Sequence, residues 1–170
     1  ALFRGAPIVF AGVNYLADPA SQAALNITGV IESYDIAATV NAACRMVPAA
    51  RKLYVINDDT PTGIGNHKRF EDVRHLLPED LQVEFLEAMS MPRLLERLPG
   101  LPQDAIVLLM SFNRDRDGNV FSYEESCQQI SHASPVPVFS FWDFYLGSGS
   151  VGGMVTSGYH QGLAAGDLAR

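Results

Sequence analysis

The sequence predicts an α/β fold: a three-layer arrangement in which one parallel sheet is covered by helices on both faces. Three observations carry this. Short apolar runs alternate with helical periodicity nearly throughout. The segment from Lys52 to Thr156 alone supplies about five strands, which fits a flavodoxin-like lobe of strand order 2-1-3-4-5. A chain of 170 residues, 48% of them hydrophobic, is long enough to bury a core without a disulfide or metal staple.

Each element has its own signal. Pro7 to Val13 and Ile27 to Ile31 are buried-strand patterns. From Asp35 the period becomes helical, with Ile36, Val40, Cys44 and Val47 on one face, Asp35 as cap and Pro48 as stop. Leu53 to Ile56 is a strand that runs into the polar loop Asn57 to Gly63. Phe70, Val73 and Leu77 mark a helix closed by Pro78. Val83 to Leu86 is a strand, Leu94, Leu95 and Leu98 mark a short helix, and Ala105 to Met110 is the most apolar strand. After a charged turn at Asn113 to Asn119, Tyr123, Cys127 and Ile130 define a helix. Val136 to Trp142 and Val151 to Thr156 are the last strands, and Tyr159, Leu163 and Leu168 mark the last helix.

Composition excludes several classes. With 18% charged residues and this apolar content, the chain is not disordered. Its net charge of -7 repels phosphate backbones, so nucleic acid is not an expected partner. No apolar run approaches the roughly 20 residues of a membrane helix, so contact with a membrane is expected only through flanking segments. The chain enters a strand almost at once and stops at Arg170 inside a helical pattern, as if cut from something longer. Cys44 and Cys127 lack disulfide or metal spacing and are expected to be reduced and buried.

Ligands of an open parallel sheet gather at the carboxyl ends of its strands. The candidates are therefore Asn14, Tyr15, Glu32, Ser33, Asp58 to Thr62, Ser111 to Asn113, and Trp142 to Tyr145. Aromatic walls with a few polar anchors suit a small organic molecule. The competing reading is that such aromatics simply cover the end of the sheet. No catalytic set is recognisable: His67, His75, His132 and His160 fall on helix surfaces without a visible partner, and no cofactor is expected. Gly63-Ile64-Gly65 follows a strand but lacks the third glycine of a dinucleotide loop. Asp58-Asp59 lacks the phospho-accepting Asp and the Lys that a receiver domain would add.

One stretch has the spacing of a calcium loop, with Asn113, Asp115, Asp117, Asn119 and Glu124 as oxygen ligands and Gly118 at the turn. The alternative is a tight Asp-Gly turn entering a helix capped by Ser122, with Glu125 completing a capping box.

The run Pro7-Ile-Val-Phe-Ala-Gly-Val13, then Asn26-Ile-Thr-Gly-Val30, then a helix leading to Val47-Pro-Ala-Ala-Arg-Lys-Leu-Tyr-Val-Ile-Asn57 resembles the ABC-transporter substrate-binding family, which has the type I periplasmic-binding-protein fold. The stretch from Ser134 to Gly149, with Val151-Gly-Gly-Met-Val155, is similar to the branch that forms extracytoplasmic sensor regions of histidine kinases and diguanylate cyclases. The resemblance implies that residues 1–34 are the tail of a first lobe, 35–157 a second lobe, and 158–170 a helix returning toward the first. About a hundred residues of the first lobe would be missing. It further implies a small solute, such as an amino acid, gripped in an interlobe cleft. Asn14, Tyr15, Glu32 and Ser33 would come from one side. Asp59, Thr60, Thr62, Ser111, Phe112, Trp142 and Asp143 would come from the other. The expected function is sensory ligand binding outside the cytoplasm, in a membrane-anchored protein. The alternatives are a free solute-binding protein of a transporter and, in a different class, a flavodoxin-like enzyme. Strands stripped of their sheet would pair with the same segment of a second chain, so a dimer through residues 1–34 is expected; the alternative is that they add to the edge of the remaining lobe and leave a monomer.

Overall fold

A computed structural model describes residues 6–13 and 26–170. The chain divides into two compact units, one of residues 1–33 and 156–170, the other of residues 34–155. In the smaller unit, β1 (Ile8–Val13) pairs in parallel with β2 (Ile27–Ile31). The helix α5 (Gly158–Leu168) belongs to the same unit. Its Gln161 ties the pieces together, accepting from the Gly12 amide at 3.2 Å and donating to Glu32 at 3.1 Å.

The larger unit is a flavodoxin-like α/β layer structure. Its strands are β3 (Lys52–Asn57), β4 (Gln82–Leu86), β5 (Ala105–Ser111) and β6 (Val138–Phe139). All pair in parallel, in the order β4-β3-β5-β6. The helices are α1 (Ile36–Met46), α2 (Pro61–Val73), α3 (Met91–Arg97) and α4 (Tyr123–Ala133). Every residue of β5 is buried, as a central strand covered on both faces requires. The caps are those the sequence predicts. Asp35 accepts from the Ala38 amide at 2.8 Å and Ser122 from the Glu125 amide at 3.0 Å.

Two predicted strands come out differently. The strand expected over Val136–Trp142 shrinks to Val138–Phe139, because Pro137 has no amide to donate and Ser140 turns to bond Gly152 at 3.0 Å. The strand expected over Val151–Thr156 is only a segment lying beside β6. Val151 donates to Val138 at 2.8 Å, and the ladder then breaks at Gly152, whose φ of +117° is outside any strand conformation. The fifth position of the sheet is thus occupied but irregular.

Candidate functional site

Strand order reverses between β3 and β5, because the chain leaves β3 toward β4 and crosses back to β5. The crevice at such a point is where flavodoxin-like folds place ligands. Here it is filled by the protein's own polar side chains. Tyr34 donates its hydroxyl to Asn66 Oδ1 at 2.5 Å, and Asn66 Nδ2 donates to Ser111 Oγ at 3.3 Å. Ser111 donates to Asn57 Oδ1 at 3.1 Å, and Asn57 Nδ2 donates to the Gly63 carbonyl at 2.7 Å and to Glu87 at 3.1 Å. All four of the first-named side chains are buried. Every amide and hydroxyl of these four side chains is paired, which makes their burial tolerable.

Above this chain the loops after β3 and β5 are stapled together. One Asp58 oxygen accepts from the Thr60 hydroxyl at 2.5 Å and the Thr60 amide at 3.1 Å; the other accepts from the Asn113 amide at 3.1 Å. Thr60 also caps α2, taking the Gly63 amide at 3.1 Å, with Pro61 in the first turn. Gly63 has no alternative here: a Cβ would stand 2.1 Å from the Asp58 carbonyl oxygen. Asp59 and Thr62 point outward from this staple and are exposed, while Thr60 is half-buried.

Aromatic rings close the other side. Tyr34 stacks on Phe141 at 4.5 Å and 3°, and Trp142 lies 5.0 Å from Tyr34. Phe144 stacks on Tyr123 at 4.4 Å and on Trp142 at 5.8 Å. The Arg69 guanidinium sits over the Tyr34 ring, 4.3 Å from its centre. Tyr145 is wholly buried beneath, and burial first, then the neighbouring Tyr123, Cys127 and Asp58, push its phenol well above the usual range.

The expected site residues therefore divide. Asp59, Thr60, Thr62 and Asp143 lie on the accessible rim; Asp143 opens a short 3-10 turn and is half-buried. Ser111 and Trp142 are buried in the floor, and Phe112 is fully enclosed in the core. For Phe112 the sheet-covering reading holds, and no face of it is open to a ligand. Glu32 is half-buried and Ser33 exposed, both in the smaller unit. Asn14 and Tyr15 lie outside the described residues.

The histidine reading needs correction at one position. His67 is not an unpartnered surface group: its Nδ1 lies 2.9 Å from both oxygens of Glu87, and its ring stacks on Phe85 at 4.3 Å. Tyr34, Asn57, Asn66, His67 and Glu87 were all invisible as a group from sequence. Only the position of Asn57 and Glu87, each at a strand's carboxyl end, signals them.

The Asn113–Phe121 part of this stretch folds as a hairpin, with Arg114 bridged to Val120, and Tyr123 and Glu124 open α4. Asp115 is its centre. It accepts from the amides of Asp117 (3.0 Å), Asn119 (2.9 Å) and Met91 (3.0 Å), and from Asn119 Nδ2 at 3.1 Å. Burial alone raises its pKa, but these donors together outweigh burial and hold the carboxyl below its ordinary value. Glu124 and Asp117 are exposed. Among the described residues, no three His, Cys, Asp or Glu side chains converge on a metal position.

Both cysteines are free. Cys127 is buried, but Cys44 is only half-buried, contrary to expectation. Burial raises both thiols; Asp80 adds to this at Cys44, while Ser131 and Ser150 partly oppose it at Cys127. A surface hollow of about 620 Å³ lies between α4 and the turn at Ser148-Gly149, and none of the expected site residues lines it. Among the described residues no helix is long and apolar enough to cross a membrane. No known family model matches the sequence, and no curated protein or solved structure matches it.

Proposed function

We propose that the chain is the ligand-binding part of an extracytoplasmic sensor of the histidine-kinase or diguanylate-cyclase kind, taking an amino-acid-like solute on the carboxyl end of the larger unit's sheet. One observation carries the reading. At the strand-order reversal, two loops are locked to each other through Asp58, beside a packed floor of Tyr34, Phe141 and Trp142. A rim held this way loses little freedom when a small molecule binds, so more of the contact energy appears as affinity. Asp59 and Asp143 offer carboxylates to a ligand ammonium group, Thr60 and Thr62 offer hydroxyls, and the half-buried Phe144 ring, stacked on Trp142, offers apolar contact.

Trp142 is the chain's single tryptophan, so its emission reports this floor alone. Titration of the protein with amino acids and small amines, followed by Trp142 emission and by thermal unfolding, tests the proposal. Binding raises the melting temperature and shifts the emission, and Asp59→Ala and Asp143→Ala weaken the response. If no solute of the panel moves either signal, the reading fails.

A further inference from the structure

The polar chain of the larger unit has a direction. Reading from Tyr34, each side chain donates to the next: Tyr34 to Asn66, Asn66 to Ser111, Ser111 to Asn57, and Asn57 to Glu87. His67 meets the same carboxylate. An ionised carboxylate can only accept, whereas a hydroxyl gives or takes and a side-chain amide can turn over. Four bonds thus run toward Asn57 and the two groups beside it that can only accept, the Glu87 carboxylate and the Gly63 carbonyl. Together these two select one of the directions available to the row, and bonds in such a row polarise one another.

The two ends differ in access. The His67 and Glu87 side chains are 40% and 26% exposed, whereas Asn57, Asn66 and Ser111 are buried. At the inner end stands Tyr34, packed against Phe141 and Trp142. If the three buried polar residues only filled space, apolar side chains of the same shape would serve about as well, because a paired buried amide gains little over them.

We propose that Glu87 is a positioning residue: acting on Asn57 beside the Gly63 carbonyl, and through Ser111 and Asn66, it holds the Tyr34 hydroxyl as a donor, and so fixes the ring on which Trp142 packs. This rests on the solute reading for its purpose, but the chain itself can be tested without any solute.

The test reads Trp142 emission in the unliganded full chain, with circular dichroism confirming the fold. Glu87→Leu removes one of the two acceptors of Asn57 and shifts the emission; Glu87→Gln keeps an acceptor oxygen and leaves the spectrum as in the parent protein. In a Tyr34→Phe background, which has no hydroxyl to orient, Glu87→Leu adds no further shift. Should Glu87→Leu fail to fold, Glu87→Lys takes its place: an ammonium group at this partly exposed position only donates, opposes the Asn57 amide hydrogens, and shifts the emission in turn. Where a solute is bound, the Leu or Lys variant weakens it on the order of fivefold. Unchanged emission in folded Leu and Lys variants overturns the proposal, and so does a shift of equal size with and without the Tyr34 hydroxyl. Emission behaving as described while no solute binds removes the solute reading and leaves the chain standing.

Discussion

The larger unit contains two buried polar constructions that solve the same problem in opposite ways. In the hairpin after β5, one carboxylate, Asp115, collects four N–H groups, three of them from residues two to four positions ahead of it. In the crevice between β3 and β5, no single residue dominates. Neutral groups pair one after another, and the charge stands at the solvent-facing end, on Glu87. The hairpin concentrates its bonding on one atom pair and shapes one loop against α3. The chain spreads its bonding over β3, α2, β5 and the segments before α1 and after β4, and ends on the aromatic floor. Loss of Asp115 should therefore show as lost stability and little else. Loss of a chain member should cost less stability but change the environment of Trp142.

The largest effect falls where the chain meets α2. Gly63→Ala puts a methyl group 2.1 Å from the Asp58 carbonyl oxygen, a backbone atom that cannot yield without moving the loop. The first turn of α2 must shift, and with it the carbonyl that accepts from Asn57. We expect a loss of about 3 kcal/mol, a fall in melting temperature of roughly 10 °C, and a shifted Trp142 emission. An unchanged melting temperature would show that the close approach is not tight.

Next comes Asp115→Asn. The amide keeps the shape, but one of its two ends now presents hydrogens to N–H groups, so two of the four donors lose their acceptor. The loss is about 2 kcal/mol, read by urea unfolding. Trp142 emission should stay as in the parent protein. A clear emission change here would erase the contrast between the two constructions.

Ser111→Ala is smaller. It leaves Asn66 Nδ2 and Asn57 Oδ1 without their shared partner and lowers stability by about 1 kcal/mol. Yet it cuts the chain at its middle, so the Trp142 emission must move. Stability lost without an emission change would mean that the chain is packing and nothing more.

The two constructions also differ in how far the sequence reveals them. The hairpin is local. Asp115, Asp117 and Asn119 are spaced as oxygen groups around Gly118, and that spacing marks a tight loop, but calcium loops and Asp turns share it. Both use a side-chain oxygen early in the loop to meet groups two and four residues on, so pattern alone leaves them unresolved. The bond from Asp115 to Met91, which is 24 positions back, decides what the carboxylate does and cannot be read from the loop. The chain is worse placed. Its bonds join residues 30, 32, 45 and 54 positions apart, and each member sits in an ordinary context for its type. The fold was legible because strand and helix periods are local, and Asp35 and Ser122 cap within three residues of themselves. The strand expected over Val151–Thr156 fails because the apolar residues Val151, Met154 and Val155 say nothing of the Gly152 conformation. His67 looked like a surface histidine because its partner lies 20 residues away, across a strand and a turn.

The smallest effect, and the most specific, is the acid limb of stability. In the folded protein the Asp115 carboxyl sits below its ordinary value, despite burial, because of the amides aimed at it. A carboxyl depressed on folding contributes stability that is full above its unfolded pKa, about 3.9, and is lost as pH falls through the lower folded value. The parent protein should therefore lose stability on acidification below about pH 4 more steeply than Asp115→Asn, which has no proton to take up there. Above that pH the two curves should run parallel, separated by the constant loss from the amide. The Glu87 end of the chain offers a control, because Glu87→Gln alters a different and partly exposed carboxylate. Unfolding midpoints between pH 3 and pH 7 for the three proteins settle the point. If Asp115→Asn and the parent keep the same separation down to the lowest pH, the hairpin carboxylate is not the group whose protonation the fold feels. The contrast between one held carboxylate and a neutral chain would then lose its electrostatic half.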